Sequence, residues 1–337
     1  MLIAEIKPDY AIATAQAPEP ALPKNGALLR VSGCGLCGSD LEKFLLKKAP
    51  PGSVLGHEVT GVIETLDNRQ ADGSAVADNN IDGFNVGDRI VTAHHVPCGE
   101  CHYCCNGSES MCRQFKATNL LPGGFAERLA LSSGHLKHTA FKIPDHISDA
   151  EASCMEPLAC VLKAVRRSTQ NRHRHEGVVV ITGLGFIGLL SAQVYQQLGY
   201  TVRGLDLNPN RLALAKTQGW VDEEVSETPA QADIVFLTVT TPATVTQALS
   251  LVRDGGTLVL FAGGNAAVDM NELYFREISV VPSYSPALED LREAARLVFE
   301  GRINVKPLLS HTLPLREINR AFELYRSGEA LKVFITC

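Results

Sequence analysis

"GVVVITGLGFIGLLSAQVYQQLG", residues 177–199, joins an apolar β-branched run to a glycine-rich turn and then to a helix-forming stretch. Gly183, Gly185 and Gly188 form G-x-G-x-x-G, a weak pattern alone because glycine is common. Here it has the context it needs: "VVVIT" reads as a strand before it and "LLSAQVYQQL" as a helix after it. The first glycine serves the tight turn, the second lets a pyrophosphate approach the backbone, and the third lets helix and strand pack closely. Phosphates would lie at the positive helix N-terminus, against Gly183, Gly185, Phe186, Ile187 and Gly188. The next strand, "TVRGLD", ends in Asp206, eighteen residues after Gly188. A carboxylate there accepts hydrogen bonds from ribose hydroxyls and repels a 2′-phosphate, so the cofactor expected is NAD rather than NADP. Arg211, one turn into the following helix, is a candidate contact to ribose or phosphate, and equally a surface charge.

Working outward, "ADIVFLTVT", "GGTLVLFAG" and "EISVVPSYS" read as further strands with helical stretches between them. Alternation of this kind builds a parallel sheet covered on both faces, an α/β fold. Toward the N-terminus the texture differs. "ALLRV" (27–31), "VTGVIET" (59–65) and "VGDRIVTAHHV" (86–96) are short β-branched runs among Gly and Pro clusters, which suggests a compact β-rich domain. The polar segment 66–86 reads as a loop or hairpin excursion. Ser148 with Glu151 reads as a helix-starting capping box, and "NRHRHEG" (171–177) as a basic linker. The tail from Leu308 returns to a strand–helix–strand mixture.

The 337 residues allow about two domains. A net charge of −6 argues against nucleic-acid binding, which wants a basic face. No apolar stretch reaches the roughly 18 residues of a membrane helix, and the N-terminus lacks a secretory pattern, so the expected location is the cytoplasm. That setting favours free thiols, so the ten cysteines read as ligands or catalysts before disulfides. Cys98, Cys101, Cys104 and Cys112 fall as C-x2-C-x2-C-x7-C, a spacing that suits one zinc ion held by four thiolates. With no open position, such an ion would be structural and would stiffen its loop. Cys105 stands outside the spacing.

Cys37 in "CGLCGSD", His57 and Glu58 in "GHEVTG", and Glu156 in "EPLACV" lie far apart in the chain. All are zinc-ligand types, and a catalytic zinc needs three with one position open. With the cysteine lobe and the glycine turn, these motifs appear in the order of the zinc-dependent medium-chain dehydrogenases. The chain resembles the sorbitol (polyol) and threonine dehydrogenase branch over essentially its whole length.

The resemblance implies a GroES-like β-barrel catalytic domain, residues 1–148 completed by 286–337, with a Rossmann domain inserted at 149–285. It implies a catalytic zinc held by Cys37 and His57, with Glu58 and Glu156 the candidates for the third ligand. A structural zinc in the lobe makes two per chain. The implied activity is hydride transfer from a secondary alcohol or polyol to NAD, giving a ketone. Ser39 matches the family position that passes the alcohol proton outward, although a serine there also suits a helix N-cap. Many relatives have a histidine where this chain has Glu42, which leaves the proton route open. Phe44, His94 and His95 are candidates to line the site, with core packing or support of a ligand as the other roles. Cys34, Cys105, Cys154, Cys160 and Cys337 are expected to pack as small apolar groups. Homodimers or homotetramers through the Rossmann sheet are implied as well. The competing readings are a zinc-free enone or quinone reductase and a non-catalytic nucleotide-binding protein of the same fold. The first predicts neither the Cys–His–Glu set nor the cysteine lobe.

Overall fold

The fold is described from a computed structural model, which covers residues 1–67, 80–170, 177–224 and 231–337. Most of the excursion after Leu66 and the basic stretch 171–176 lie outside these residues; at 80–85 a short hairpin pairs Asn80–Ile81 with Phe84–Asn85. The chain forms two compact units, Met1–Glu156 with Ala287–Cys337, and Pro157–Pro286. The sequence reading divides the chain at 148 and 285; the units part at 156 and 286. The short helix Asp149–Ser153, capped by Ser148 and Glu151 as expected, packs on the sheet of the first unit.

The second unit is built on a six-stranded parallel sheet. From edge to edge the strands are Glu223–Glu224, Thr201–Leu205, Val178–Thr182, Ala232–Leu237, Val252–Leu260 and Ser279–Pro282. In chain order this is 3-2-1-4-5-6, the doubly wound arrangement, with the order reversing beside Val178–Thr182. Val179, Val180 and Ile181 are fully buried, which explains the unbroken apolar run: a central parallel strand meets helices on both faces. The helix Phe186–Gln197 starts directly from the glycine turn. Its Tyr195 is also fully buried, and its hydroxyl is satisfied by Ser168 Oγ at 2.8 Å.

The first unit holds a seven-stranded mixed sheet. Its path runs Leu309–Pro314, Lys332–Thr336, Ala27–Gly35, Glu58–Leu66, Arg89–Thr92 and Ala140–Lys142, with Arg128–Leu131 also on Ala27–Gly35. The last strand of the chain therefore pairs with the third, Phe334 opposite Gly35 and Ile335 opposite Cys34. Gly35 also lies opposite Glu58 on its other side. A Cβ at Gly35 would fall 1.9 Å from Glu58 Oε2, so only glycine admits that carboxylate. An apolar core including Leu29, Val31, Ile63, Phe125 and Phe322 lies against the sheet.

Candidate active site and metal centres

The strand Ala27–Gly35 delivers the chain to Cys37, the N-cap of the helix Gly38–Leu45. Asp40, in the first turn, is buried and accepts from the backbone N–H of Cys37 (3.2 Å) and of Gly56 (3.2 Å). It thereby ties the helix start to the turn before His57. His57 Nδ1 lies 3.3 Å from Asp40 Oδ1. Burial by itself would keep His57 neutral, but Asp40 and the Cys37 thiol beside it outweigh burial and raise its pKa well above the usual imidazole range. Asp40 is lowered in turn, burial opposing and His57 prevailing. A carboxylate bonded to one imidazole nitrogen leaves the other to face outward as a ligand.

Glu58 begins the next strand and is fully buried. Its partner is Lys332, itself 1% exposed, whose Nζ donates to Glu58 Oε1 at 2.6 Å and to the carbonyl of Leu36 at 3.2 Å. Burial would lower the lysine, but Glu58 and Cys37 overcome it and raise it. Cys37, His57 and Glu58 each place one donor atom within 4.8 Å of the others, a soft sulfur, an imidazole nitrogen and a carboxylate oxygen that fit zinc. Glu156 is also buried, but it comes in against His94, its Oε1 4.0 Å from His94 Nδ1. The His94 ring lies 4.7 Å from that of His57 and 3.9 Å from that of His95. Burial, then the neighbouring His57 charge, push His94 well below the usual range.

The remaining candidates divide. Ser39 is half-buried and sits inside the helix, so Cys37 and not Ser39 is the N-cap. Glu42 points to solvent and pairs with Lys48 at 2.5 Å. Phe44 packs edge-on to Phe322, 5.2 Å between ring centroids, and serves the core. His95 bonds the carbonyl of Thr118 at 2.5 Å and stacks near Phe115.

In the cysteine lobe Cys98, Cys101, Cys104 and Cys112 gather all four sulfurs within 4.8 Å. The separations are 3.9 Å for Cys98–Cys104, 3.5 Å for Cys101–Cys104 and 3.6 Å for Cys98–Cys112. Sulfurs at the corners of a zinc tetrahedron would stand about 3.8 Å apart, so the lobe fits a four-thiolate ion. Burial opposes charge on Cys112, but the amides of Cys98 and Phe115 outweigh it and bring that thiol down to about 6. All ten cysteines are free thiols. Cys34 and Cys154 are buried as expected, and burial pushes Cys154 up to about 12. Cys105 is exposed instead, its Sγ 3.5 Å from the carbonyl of Glu100.

At the glycine turn Gly183 has φ +88°, and Gly188 approaches so closely that its Cβ would fall 1.9 Å from the Gly183 carbonyl. Gly185 differs: a Cβ there would meet only Arg211 Nη1, at 3.8 Å. That is open backbone of the kind a phosphate needs. Phe186 is buried, and Ile187 half-buried, in the first turn. Asp206 Oδ2 accepts from Leu184 N and Oδ1 from Asn208 N, both at 2.7 Å. Arg211 Nη1 lies 3.6 Å from Asp206 Oδ2, so the two charges named in the sequence stand as a pair beside the turn. The turn fits a dinucleotide.

Sequence reasoning missed Asp40 and Lys332. Asp40 carries a usable signal, three residues after a ligand cysteine at a helix start; Lys332 carries none that a single chain would reveal.

A doubly wound parallel sheet with an open glycine turn, a four-thiol lobe and a Cys–His–Glu cluster define a zinc-binding dehydrogenase. Residues 23–145 match the family model for the alcohol dehydrogenase GroES-like domain, and residues 187–300 that for the zinc-binding dehydrogenase. Sorbitol dehydrogenase of Halalkalibacterium halodurans is 32% identical, over 96% of this chain and 95% of its own length. L-Threonine 3-dehydrogenase of Shewanella sediminis is 28% identical over 99% and 98%. Among solved structures, the alcohol dehydrogenase of Thermus sp. ATN1 superposes with a TM-score of 0.82 at 26% identity, covering 100% of this chain and 99% of that one. The chain belongs to the zinc-dependent medium-chain dehydrogenases. No helix among the described residues is long and apolar enough to cross a membrane.

Proposed function

We propose that this protein is an NAD-dependent zinc alcohol or polyol dehydrogenase that oxidises a secondary alcohol to a ketone. One observation carries the reading: donor atoms of Cys37, His57 and Glu58, distant in sequence, converge within 4.8 Å. The zinc-free reductase would have no use for that set. Cys37 and His57 hold the catalytic ion, with Glu58 or Glu156 as the third ligand, and Cys98, Cys101, Cys104 and Cys112 hold a structural one. Zinc bound at the first site supplies Lewis acidity that brings the pKa of a carbinol hydroxyl toward neutrality.

The chain's own residues do the rest. Asp40 orients the His57 imidazole, and Lys332 balances the charge of Glu58. Ser39, two residues after Cys37, takes the hydroxyl proton and hands it toward solvent. Gly183, Gly185, Phe186, Ile187 and Gly188 receive the pyrophosphate of NAD, and Asp206 the ribose hydroxyls, with Arg211 beside it. The GroES-like domain is residues 1–156 completed by 287–337, and the Rossmann domain is the segment 157–286 inserted between them. Copies associate as homodimers or homotetramers through the edge strand Ser279–Pro282. Free thiols throughout suit the cytoplasm.

The test is NAD reduction by zinc-loaded protein across secondary alcohols, polyols, cyclitols and threonine. At least one should be oxidised, and Cys37→Ser should lower the rate by about a hundredfold or more. Full activity in Cys37→Ser, or no NAD reduction with any of these, would refute the assignment.

A further inference from the structure

The glycine turn is held by more than its glycines. The strand Val178–Thr182 ends where Thr182 pairs with Leu237, the last residue of Ala232–Leu237, and Thr238 follows at once. The Thr238 hydroxyl donates to the carbonyl of Thr182 at 2.8 Å and reaches that of Gly183 at 3.3 Å, a bond shared between two acceptors. The backbone N–H of Thr238 donates to the same Thr182 carbonyl at 3.2 Å. The fit is close, since a Cβ at Gly183 would fall 2.2 Å from Thr238 Oγ1.

In a trans peptide the C=O and the N–H point in opposite directions, so fixing both ends fixes the plane. The Thr182–Gly183 peptide is gripped in this way: Thr238 donates to its carbonyl, and its N–H donates to the carbonyl of Leu205 at 2.7 Å. The Gly183–Leu184 peptide is gripped likewise, with Thr238 on its carbonyl and its N–H donating to Asp206 Oδ2 at 2.7 Å. Leu205 and Asp206 hold one side of the turn, and Thr238 holds the other. These two peptides carry the chain into Gly185 and the helix start that would face a pyrophosphate. A turn this rich in glycine has little stiffness of its own, so the direction of its amides depends on such bonds.

We propose that Thr238 is a positioning residue for the cofactor: its hydroxyl sets the planes of the two peptides that lead into Gly185 and so preorganises the turn for the pyrophosphate of a dinucleotide. The proposal rests on the dinucleotide reading of the turn given above. It adds to that turn a residue 56 positions from Thr182 in the chain. A site already in its bound conformation binds more tightly because less ordering is left to be done when the ligand arrives. A ligand without phosphates should gain little from it.

The experiment replaces Thr238 by valine, which keeps the branched shape and removes the donor. NADH and ADP-ribose are titrated into zinc-loaded protein by fluorescence and calorimetry, and adenosine by ligand-observed NMR. Thr238→Val should raise the Kd of NADH and of ADP-ribose by about fivefold and change that of adenosine by less than about twofold, with zinc content unchanged. In turnover the KM for NAD should rise while kcat stays within about twofold. Thr238→Ser, which keeps the hydroxyl, should bind all three ligands as wild type does. Equal NADH and ADP-ribose affinity in wild type and Thr238→Val overturns the proposal. A loss that adenosine shares equally, or that serine does not recover, also overturns it, because either marks a general loosening of the fold. If wild type binds ADP-ribose but reduces NAD with no alcohol, the dehydrogenase reading fails by itself, and the ADP-ribose contrast between wild type and valine still decides the role of Thr238. If wild type binds neither nucleotide, both readings fall.

Discussion

Lys332 and Glu58 meet across 274 residues of chain, both almost fully buried, near enough to Cys37 for its sulfur to act on the lysine. A buried pair is costly to form but far costlier to half-remove, because the survivor is a charge without compensation. Lys332→Met should therefore destabilise the fold by about 3–5 kcal/mol in denaturant unfolding. Adding Glu58→Gln should return most of the loss; a double variant no more stable than the single one would mean that the lysine works by packing alone. Asp206 offers a second residue-scale test. Both its oxygens already accept a backbone amide, so the carboxylate braces the turn in addition to the ribose role proposed for it. Asp206→Ala should narrow the preference for NAD over NADP by about tenfold or more, because the carboxylate that repels a 2′-phosphate is gone. A wild-type preference for NADP would remove the basis of that reading. Asp206 was legible because strand, turn and acid are contiguous in the chain. Lys332 was not, since its meaning arises only where the last strand pairs with the third.

At the scale of elements, the cysteine lobe and the Cys37 helix make separable claims about metal. Loaded protein should contain about two zinc ions per chain. Cys98→Ser should lose one of them and open residues 96–113 to proteolysis, because four short-range ligands are what hold that loop together. Cys37→Ser should lose the other and leave the lobe resistant. Metal analysis with limited proteolysis checks both, and a Cys98→Ser protein that retains both ions would unseat the lobe as a zinc site. The contrast also shows what a sequence exposes. The four lobe ligands fall within fifteen residues, so spacing alone suggests one ion. The glycine turn is likewise local, and its strand–turn–helix context was visible. The choice between Glu58 and Glu156 was not, because it depends on sheet register. Glu58 faces Gly35 across two strands and joins Cys37 and His57, whereas Glu156 arrives from a helix and meets His94. The cap role also offered for Ser39 does not hold, for a related reason: the helix begins two residues earlier than a serine cap there would set, with Cys37 in the capping position.

For the whole molecule, the chain leaves the first unit at Glu156 and returns to it at Ala287, so the parallel sheet is built from one uninterrupted segment. Among the described residues that sheet ends on Ser279–Pro282, which pairs with Val252–Leu260 on one side only. An unpaired edge is a template for another strand, and proteins that leave one bare usually guard it with charge. Here the edge carries Val280, 39% exposed, and the helix before it presents Met270, Tyr274 and Phe275 at 72–78% exposure. Apolar side chains clustered in this way mark a surface that another protein covers. A second copy related by a two-fold axis would bring the same strand alongside itself, running antiparallel, and join two six-stranded sheets into one. Sedimentation equilibrium should accordingly give a dimer or a tetramer for the wild-type chain. Val280→Lys places a charge in the seam, and Phe275→Glu strips the apolar flank. The two together should reduce the assembly by half or to monomers without lowering the thermal stability of the isolated fold by more than about 1 kcal/mol, the effect of exposed substitutions. A wild-type monomer would eliminate this seam, and an assembly untouched by both substitutions would move the contact to another face.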